Sequence, residues 1–247
     1  MRVGIFDSGI GGLTVLKTFI KEYPNNEYIY YGDTLNLPYG NKTKKELIEL
    51  SDKDVAFLID KNVDIIIIAC GTISSNCLDY LKNKYNIPIY DIISPTLEYL
   101  NNSTYQNIGV IATNRTIDSH IFKNSLNKNI YEINTPQLVP LIESSNLDNI
   151  ENILDNYLKE YKNKIDILIL GCTHYPIIYN NINKYLNNSV SLLDMSIPLI
   201  NKLSNNSLSS NKQIISIYYS KISDILIKNT KRILNQDNIN IIEDNSN

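Results

Sequence analysis

Cysteine is scarce in this chain: 247 residues hold three, an odd number, and no C-x-x-C pair occurs. That excludes a disulfide framework and points to a reducing compartment. It also leaves a structural zinc site without its usual ligand spacing. Positive charge is nowhere concentrated. The net charge is −3, from 23 Lys and Arg against 26 Asp and Glu, and no basic run supplies the electrostatic footprint of nucleic-acid binding. No apolar run approaches the ~18 residues of a membrane helix. Met1-Arg2 leads directly into Val3-Gly4-Ile5-Phe6, without signal-peptide architecture. The expectation is a soluble, cytoplasmic protein whose partner is neither nucleic acid nor membrane. An acidic substrate would need local donors, such as backbone N–H groups at helix starts.

Composition is otherwise ordinary. Hydrophobic residues make up 43% and charged residues 20% of the chain, which permits a sizeable core. The length fits one large α/β domain or two smaller ones. Two stretches stand out: Asp64-Ile-Ile-Ile-Ile-Ala-Cys70-Gly71-Thr72 and Asp166-Ile-Leu-Ile-Leu-Gly-Cys172-Thr173-His174, with six residues from Asp to Cys in each. Short runs of branched apolar residues read as strands buried on both faces of a parallel sheet. Open parallel sheets bind ligands beyond the carboxyl ends of their strands. Both thiols therefore fall where such a fold places chemistry.

The remaining pattern alternates strand and helix. Strands are expected at 2–6, Glu27–Tyr31, 64–69, from Pro88, at 108–113, 165–170 and Val190–Leu193. Helices are expected at Leu13–Tyr23, from Thr43 to about Lys61, Ser74–Lys84, near 137–145 and 148–161, after Pro176, and from Asp194 to Leu203. Thr43 with Glu46 forms a capping-box signature. Val3 and Ile108 lie 105 residues apart, and Asp64 and Asp166 lie 102 apart. Nearly equal offsets indicate an internal duplication of an α/β unit. The polar stretch Ser204–Asn211 reads as a linker, and the tail beyond it as strand, helix, strand returning to the first unit. The fold class is thus α/β, with two pseudo-symmetric, doubly wound, flavodoxin-like parallel sheets and the active site in the cleft between them. The domains would be 1–96 with 208–247, and 97–207.

A thiol at a strand end is often no more than a small hydrophobe, and Cys77, inside a helix, fits that description. A Cys–His hydrolase needs only one nucleophile and one base, leaving a second matched cysteine unexplained. The arrangement that uses both is a two-base site, with one thiol on each side of a substrate carbon. One thiolate removes a proton, the other thiol supplies one, and the stereocentre inverts. The loop Gly9-Ile10-Gly11-Gly12 would supply backbone donors for the substrate's carboxylate. It fits neither G-x-G-x-x-G nor a Walker motif.

The chain resembles the glutamate racemases of the cofactor-independent aspartate/glutamate racemase superfamily. The motifs are Gly4-Ile5-Phe6-Asp7-Ser8-Gly9-Ile10-Gly11-Gly12, Tyr31-Gly32-Asp33 with Pro38-Tyr39-Gly40, Ala69-Cys70-Gly71-Thr72, Gly109–Thr113, Val139–Glu143 and Gly171-Cys172-Thr173-His174-Tyr175-Pro176. The resemblance implies a cofactor-independent enzyme interconverting L- and D-glutamate for peptidoglycan, with homodimers common. It implies Cys70 and Cys172 as the acid/base pair, Asp7 assisting Cys70 and His174 assisting Cys172. Ser8, Tyr39, Gly40, Gly71, Thr72 and Thr173 would hold the substrate along with Asp7 and His174, and Glu143 would stand behind them. No metal is implied. Gly71 departs from the family's usual Asn. Its backbone N–H remains, and the missing side chain is expected to leave space for water and to open an aspartate or broader amino-acid racemase as the alternative. A silent paralogue binding an anionic metabolite or a protein partner is the reading from another class.

Overall fold

The computed structural model describes residues 1–204, 213–236 and 239–244. The first unit runs β1 (Arg2–Asp7), α1 (Leu13–Glu22), β2 (Glu27–Gly32), α2 (Lys44–Asp60), β3 (Ile65–Ile68), α3 (Gly71–Lys84), β4 (Ile89–Asp91) and α4 (Ile93–Asn101). The second runs β5 (Asn107–Ala112), α5 (Asn114–Asp118), α6 (Ile121–Ser125), β6 (Asn129–Asn134), α7 (Leu138–Glu143), α8 (Ile150–Leu158), β7 (Ile167–Leu170), α9 (Tyr179–Tyr185), β8 (Ser191–Asp194) and α10 (Ser196–Leu203). The tail adds β9 (Ile214–Tyr219), α11 (Asp224–Leu234) and β10 (Asn240–Glu243). The expected linker lies, from residue 205 onward, outside the described residues.

Two parallel sheets result, in the orders β10-β9-β2-β1-β3-β4 and β6-β5-β7-β8. Without the tail strands, the first order repeats in the second, β1 corresponding to β5 and β3 to β7, as the offsets predict. The tail returns to the first sheet, where β9 pairs with β2.

Each cysteine strand is pinned at its start. The Asp64 carboxylate accepts the Arg2 N–H at 2.7 Å, at the head of β1. Asp166 accepts the N–H groups of Gln106 and Asn107 at 3.0 and 2.8 Å, at the head of β5. These bonds hold the Asp166 carboxyl below the usual carboxylate range. The Asp of each motif therefore locks the register of the neighbouring strand. From there the side chains alternate. Ile65, Ile67, Ile167 and Ile169 join Val3, Ile5, Ile108 and Val110 in one continuous cluster between the sheets. Ile66 and Ile68 enter a second cluster with Cys70 and Cys77, and Leu168 and Leu170 a third with Cys172. Each fully buried Ile or Leu contributes ~1.5–3 kcal/mol.

Two differences from expectation bear on the site. Helix α3 begins at Gly71, three residues earlier than expected, because Cys70 takes the N-cap position in extended backbone (φ −72°, ψ 118°). Gly, Thr and Ile are weak helix formers, and the strand end sets the start instead. The short elements α4, α6 and β6 lie outside the sequence expectation. β6 is an edge strand of mostly half-exposed residues, so no apolar run marks it.

The capping box is formed: the Thr43 hydroxyl accepts the Glu46 N–H, and Glu46 accepts the Thr43 N–H. Thr43→Ala should lower unfolding stability by ~1 kcal/mol, read as a lower urea midpoint with an unchanged slope.

Candidate active site

The carboxyl ends of β1, β3, β5 and β7 converge on one cavity of about 80 Å³. Ser8, Tyr39, Gly40, Cys70, Gly71, Thr72, Cys172, Thr173 and His174 all line it. Asp7 and Glu143 stand behind the lining, in contact with Thr173 and His174. Cys70 comes from the first sheet and Cys172 from the second. Cys77 is core, and His120 lies away from the cavity, paired with Glu132 at 2.7 Å. Among the described residues, no three His, Cys, Asp or Glu side chains gather as a metal site requires.

The two thiols have different surroundings. Cys172 Sγ is 3.5 Å from His174 Nδ1, and His174 Nε2 is 2.6 Å from Glu143 Oε1. The imidazole is buried. Burial pulls its pKa down, but the hydrogen bond and charge of Cys172, with those of Glu143, carry it well above the ordinary value. Gly11 packs on this ring: a Cβ there would collide with the imidazole and the Thr173 hydroxyl. A glycine is required at that spot by close approach.

Among the described residues, Cys70 has no basic hydrogen-bond partner. Its Sγ donates to Ser8 Oγ at 3.9 Å, and the Ile73 N–H at the start of α3 points to it. Burial, then the negative charge of Asp7, pushes this thiol well up. Asp7 makes no hydrogen bond to it. Its Oδ2 accepts the Gly9 and Gly12 N–H groups at 3.2 and 2.9 Å, and its Oδ1 accepts the Thr173 hydroxyl at 3.3 Å. The glycine loop therefore corrects one expectation. Two of its donors are taken up by the buried Asp7 carboxylate, and none of Gly9 to Gly12 lines the cavity.

Gly71 corrects another. A Cβ on it would lie 2.6 Å from the Gly171 carbonyl oxygen, so the place of a side chain is taken by the backbone of the other cysteine loop. Tyr39 turns its hydroxyl away from the cavity, to Asp33 Oδ2 at 2.6 Å. It can offer a ligand only its ring and backbone. Asp33, readable in sequence as a turn residue, is buried at this junction.

Thr113, Asn114, Asn41, Thr135 and Pro136 also line the cavity and were not singled out by sequence. The Thr113 hydroxyl is hydrogen-bonded to that of Thr72 at 3.0 Å. Its signal was the internal repeat, which sets Thr113 opposite Ser8. Hydroxyl-bearing Ser8, Thr72, Thr113 and Thr173 thus share the cavity lining with the two thiols, one thiol from each sheet.

Comparison with known proteins agrees with this chemistry. The family model described as Asp/Glu/Hydantoin racemase matches residues 36–201. The glutamate racemase of Aquifex aeolicus is 35% identical over 243 residues, covering 96% of this chain and 95% of that protein. The crystal structure of glutamate racemase from Francisella tularensis in complex with D-glutamate superposes with a TM-score of 0.88 at 32% identity, covering 98% of this chain and 97% of that one. Glutamate racemase from Aquifex pyrophilus gives a TM-score of 0.84 at 36% identity, covering 98% of each. With its two thiols, its paired sheets and its full-length similarity in agreement, this chain belongs to the glutamate racemase family.

Proposed function

We propose that the protein interconverts L- and D-glutamate by a two-base mechanism on Cys70 and Cys172, without a cofactor, and so supplies D-glutamate for peptidoglycan. The observation that carries this is one small cavity holding two buried thiols, one from each sheet, in unlike environments. His174, its pKa raised by Cys172 and Glu143, sets Nδ1 3.5 Å from Cys172 Sγ, the thiol–imidazole pairing of nucleophile and base. Cys70 is pushed toward the thiol. A resting site with one base and one acid is what inversion needs.

In that state Cys172 takes the α-proton and becomes a thiol. The carbanion then takes the proton of Cys70 from the opposite side, leaving Cys70 as thiolate and the reverse direction primed. A free thiol has a pKa of ~8.5, far below that of an amino acid's α-carbon, so the carbanion must be stabilised by fixed donors. Ser8, Thr72, Thr113 and Thr173 hydroxyls are in place for that. Asp7 is supported less as a partner of Cys70 than as the brace of Thr173. Tyr39 and Gly40 contribute a wall.

Glutamate is favoured over aspartate by the names of the full-length relatives, one of which binds D-glutamate in its crystal structure. Strand membership supports assigning residues 1–96 with 208–247 to one domain and 97–207 to the other. Three free cysteines, and no helix among the described residues long and apolar enough to cross a membrane, support a cytoplasmic site. The resemblance supports a homodimer, which sedimentation equilibrium reads.

In D₂O, both glutamate enantiomers should lose the α-proton and converge to zero optical rotation; no exchange with either would overturn the proposal. Cys70→Ala and Cys172→Ala should each lower racemisation by at least ~10²-fold. Glu143→Gln removes a charge that raises the His174 pKa. The alkaline limb of the kcat profile, where the imidazolium is lost, should therefore move to lower pH. Gly71→Ala forces the two cysteine loops apart, and kcat should fall by up to ~10²-fold with a smaller change in KM.

A further inference from the structure

Behind the cavity wall two buried carboxylates face one phenol. Asp33, after β2, and Asp54, in α2, are each 2% exposed. Tyr39 lies between them, its oxygen 2.6 Å from Asp33 Oδ2 and 3.4 Å from Asp54 Oδ2. Both Asp33 oxygens already have donors: Asn36 Nδ2 donates to each, at 3.0 and 2.9 Å, and Ser220 Oγ from the tail donates at 2.8 Å. A phenol has one proton to donate, and the short contact assigns it to Asp33. The remaining contact, Tyr39 oxygen against Asp54 oxygen, is then either two lone pairs facing each other in a dry site or a bond in which Asp54 is the donor. Among the described residues, Tyr39 is the only hydrogen-bond partner of the Asp54 side chain.

We propose that Asp54 is a positioning residue, a neutral carboxylic acid that donates its O–H to the Tyr39 oxygen and so completes a chain Asp54 to Tyr39 to Asp33. The surroundings agree. Burial and then the charge of Asp33 push the Asp54 carboxyl well up, with a further push from Asp7 on β1. The Tyr39 hydroxyl and Lys53, on α2 itself, act in the other direction without reversing it. The chain fixes the Tyr39 ring, and with it the Tyr39–Gly40 wall of the cavity, between α2 and the tail. It goes beyond the two-cysteine mechanism and relies on it only where substrate affinity is read.

The test has two arms. In protein labelled at the aspartate γ-carbons, the NMR resonance that disappears in Asp54→Asn should remain at its protonated position through pH 7; titration near the ordinary value of ~4 overturns the proposal, whatever the protein's activity. In the kinetic arm, Asp54→Asn keeps a donor and should hold KM for glutamate within about twofold, whereas Asp54→Leu should raise KM about tenfold with a smaller effect on kcat. Asp54→Leu matching the wild type, or Asp54→Asn failing equally, overturns it. Should Asp54→Leu not fold, the carboxyl resonance and Asp54→Asn decide. Absence of turnover in the wild type would count against the proposed reaction and leave the NMR arm intact.

Discussion

The site depends on one buried carboxylate. Asp7, at the end of β1, is fully enclosed and is held by three donors: two backbone N–H groups of its own loop and the hydroxyl of Thr173 from the second sheet. Hydrogen bonds to a charged group contribute ~1.5–3 kcal/mol each, and a buried anion left without them would be costly. The interaction therefore folds the glycine loop onto Asp7 and ties the Cys172 loop to the first sheet. Thr14 adds a second tie, donating its hydroxyl to the Thr173 carbonyl at 3.0 Å. With those loops joined, His174 has its place against Gly11, and Glu143 its place against His174.

The duplicated architecture supplies equivalent positions, and the loops make them chemically unequal. One thiol meets an imidazole backed by a carboxylate. The other meets a hydroxyl, a helix start and a nearby negative charge. These unlike surroundings are what the proposed division into one acid and one base calls for.

Much of this was legible in sequence, for physical reasons that can be named. The cysteine strands are buried on both faces and so form unbroken apolar runs, and their equal spacing exposed the repeat. Thr113 was visible through that repeat as the counterpart of Ser8. The half-exposed edge strand β6 carries Asn, Tyr and Glu between its apolar residues, and nothing local distinguishes it from a loop. The donors of Gly9 and Gly12 looked available because sequence does not reveal that Asp7 claims them. Gly71 looked like open space because its neighbour in space, Gly171, is a hundred residues away. Asp33 and Asp54 carry no local mark of a partnership; only tertiary packing brings both to Tyr39.

The aspartates that begin the two cysteine motifs make each strand a gauge with a fixed zero. Asp64 and Asp166 anchor one end against the neighbouring strand's backbone, and the thiol stands six residues further on. Because both gauges have the same length, Cys70 and Cys172 stand at matching positions beyond the carboxyl ends of their strands, where both line the one cavity. Inserting or deleting one residue between anchor and thiol would turn that sulfur to the opposite face. The chain can therefore exchange the apolar residues within the interval for others of similar volume, but the interval itself is part of the active site.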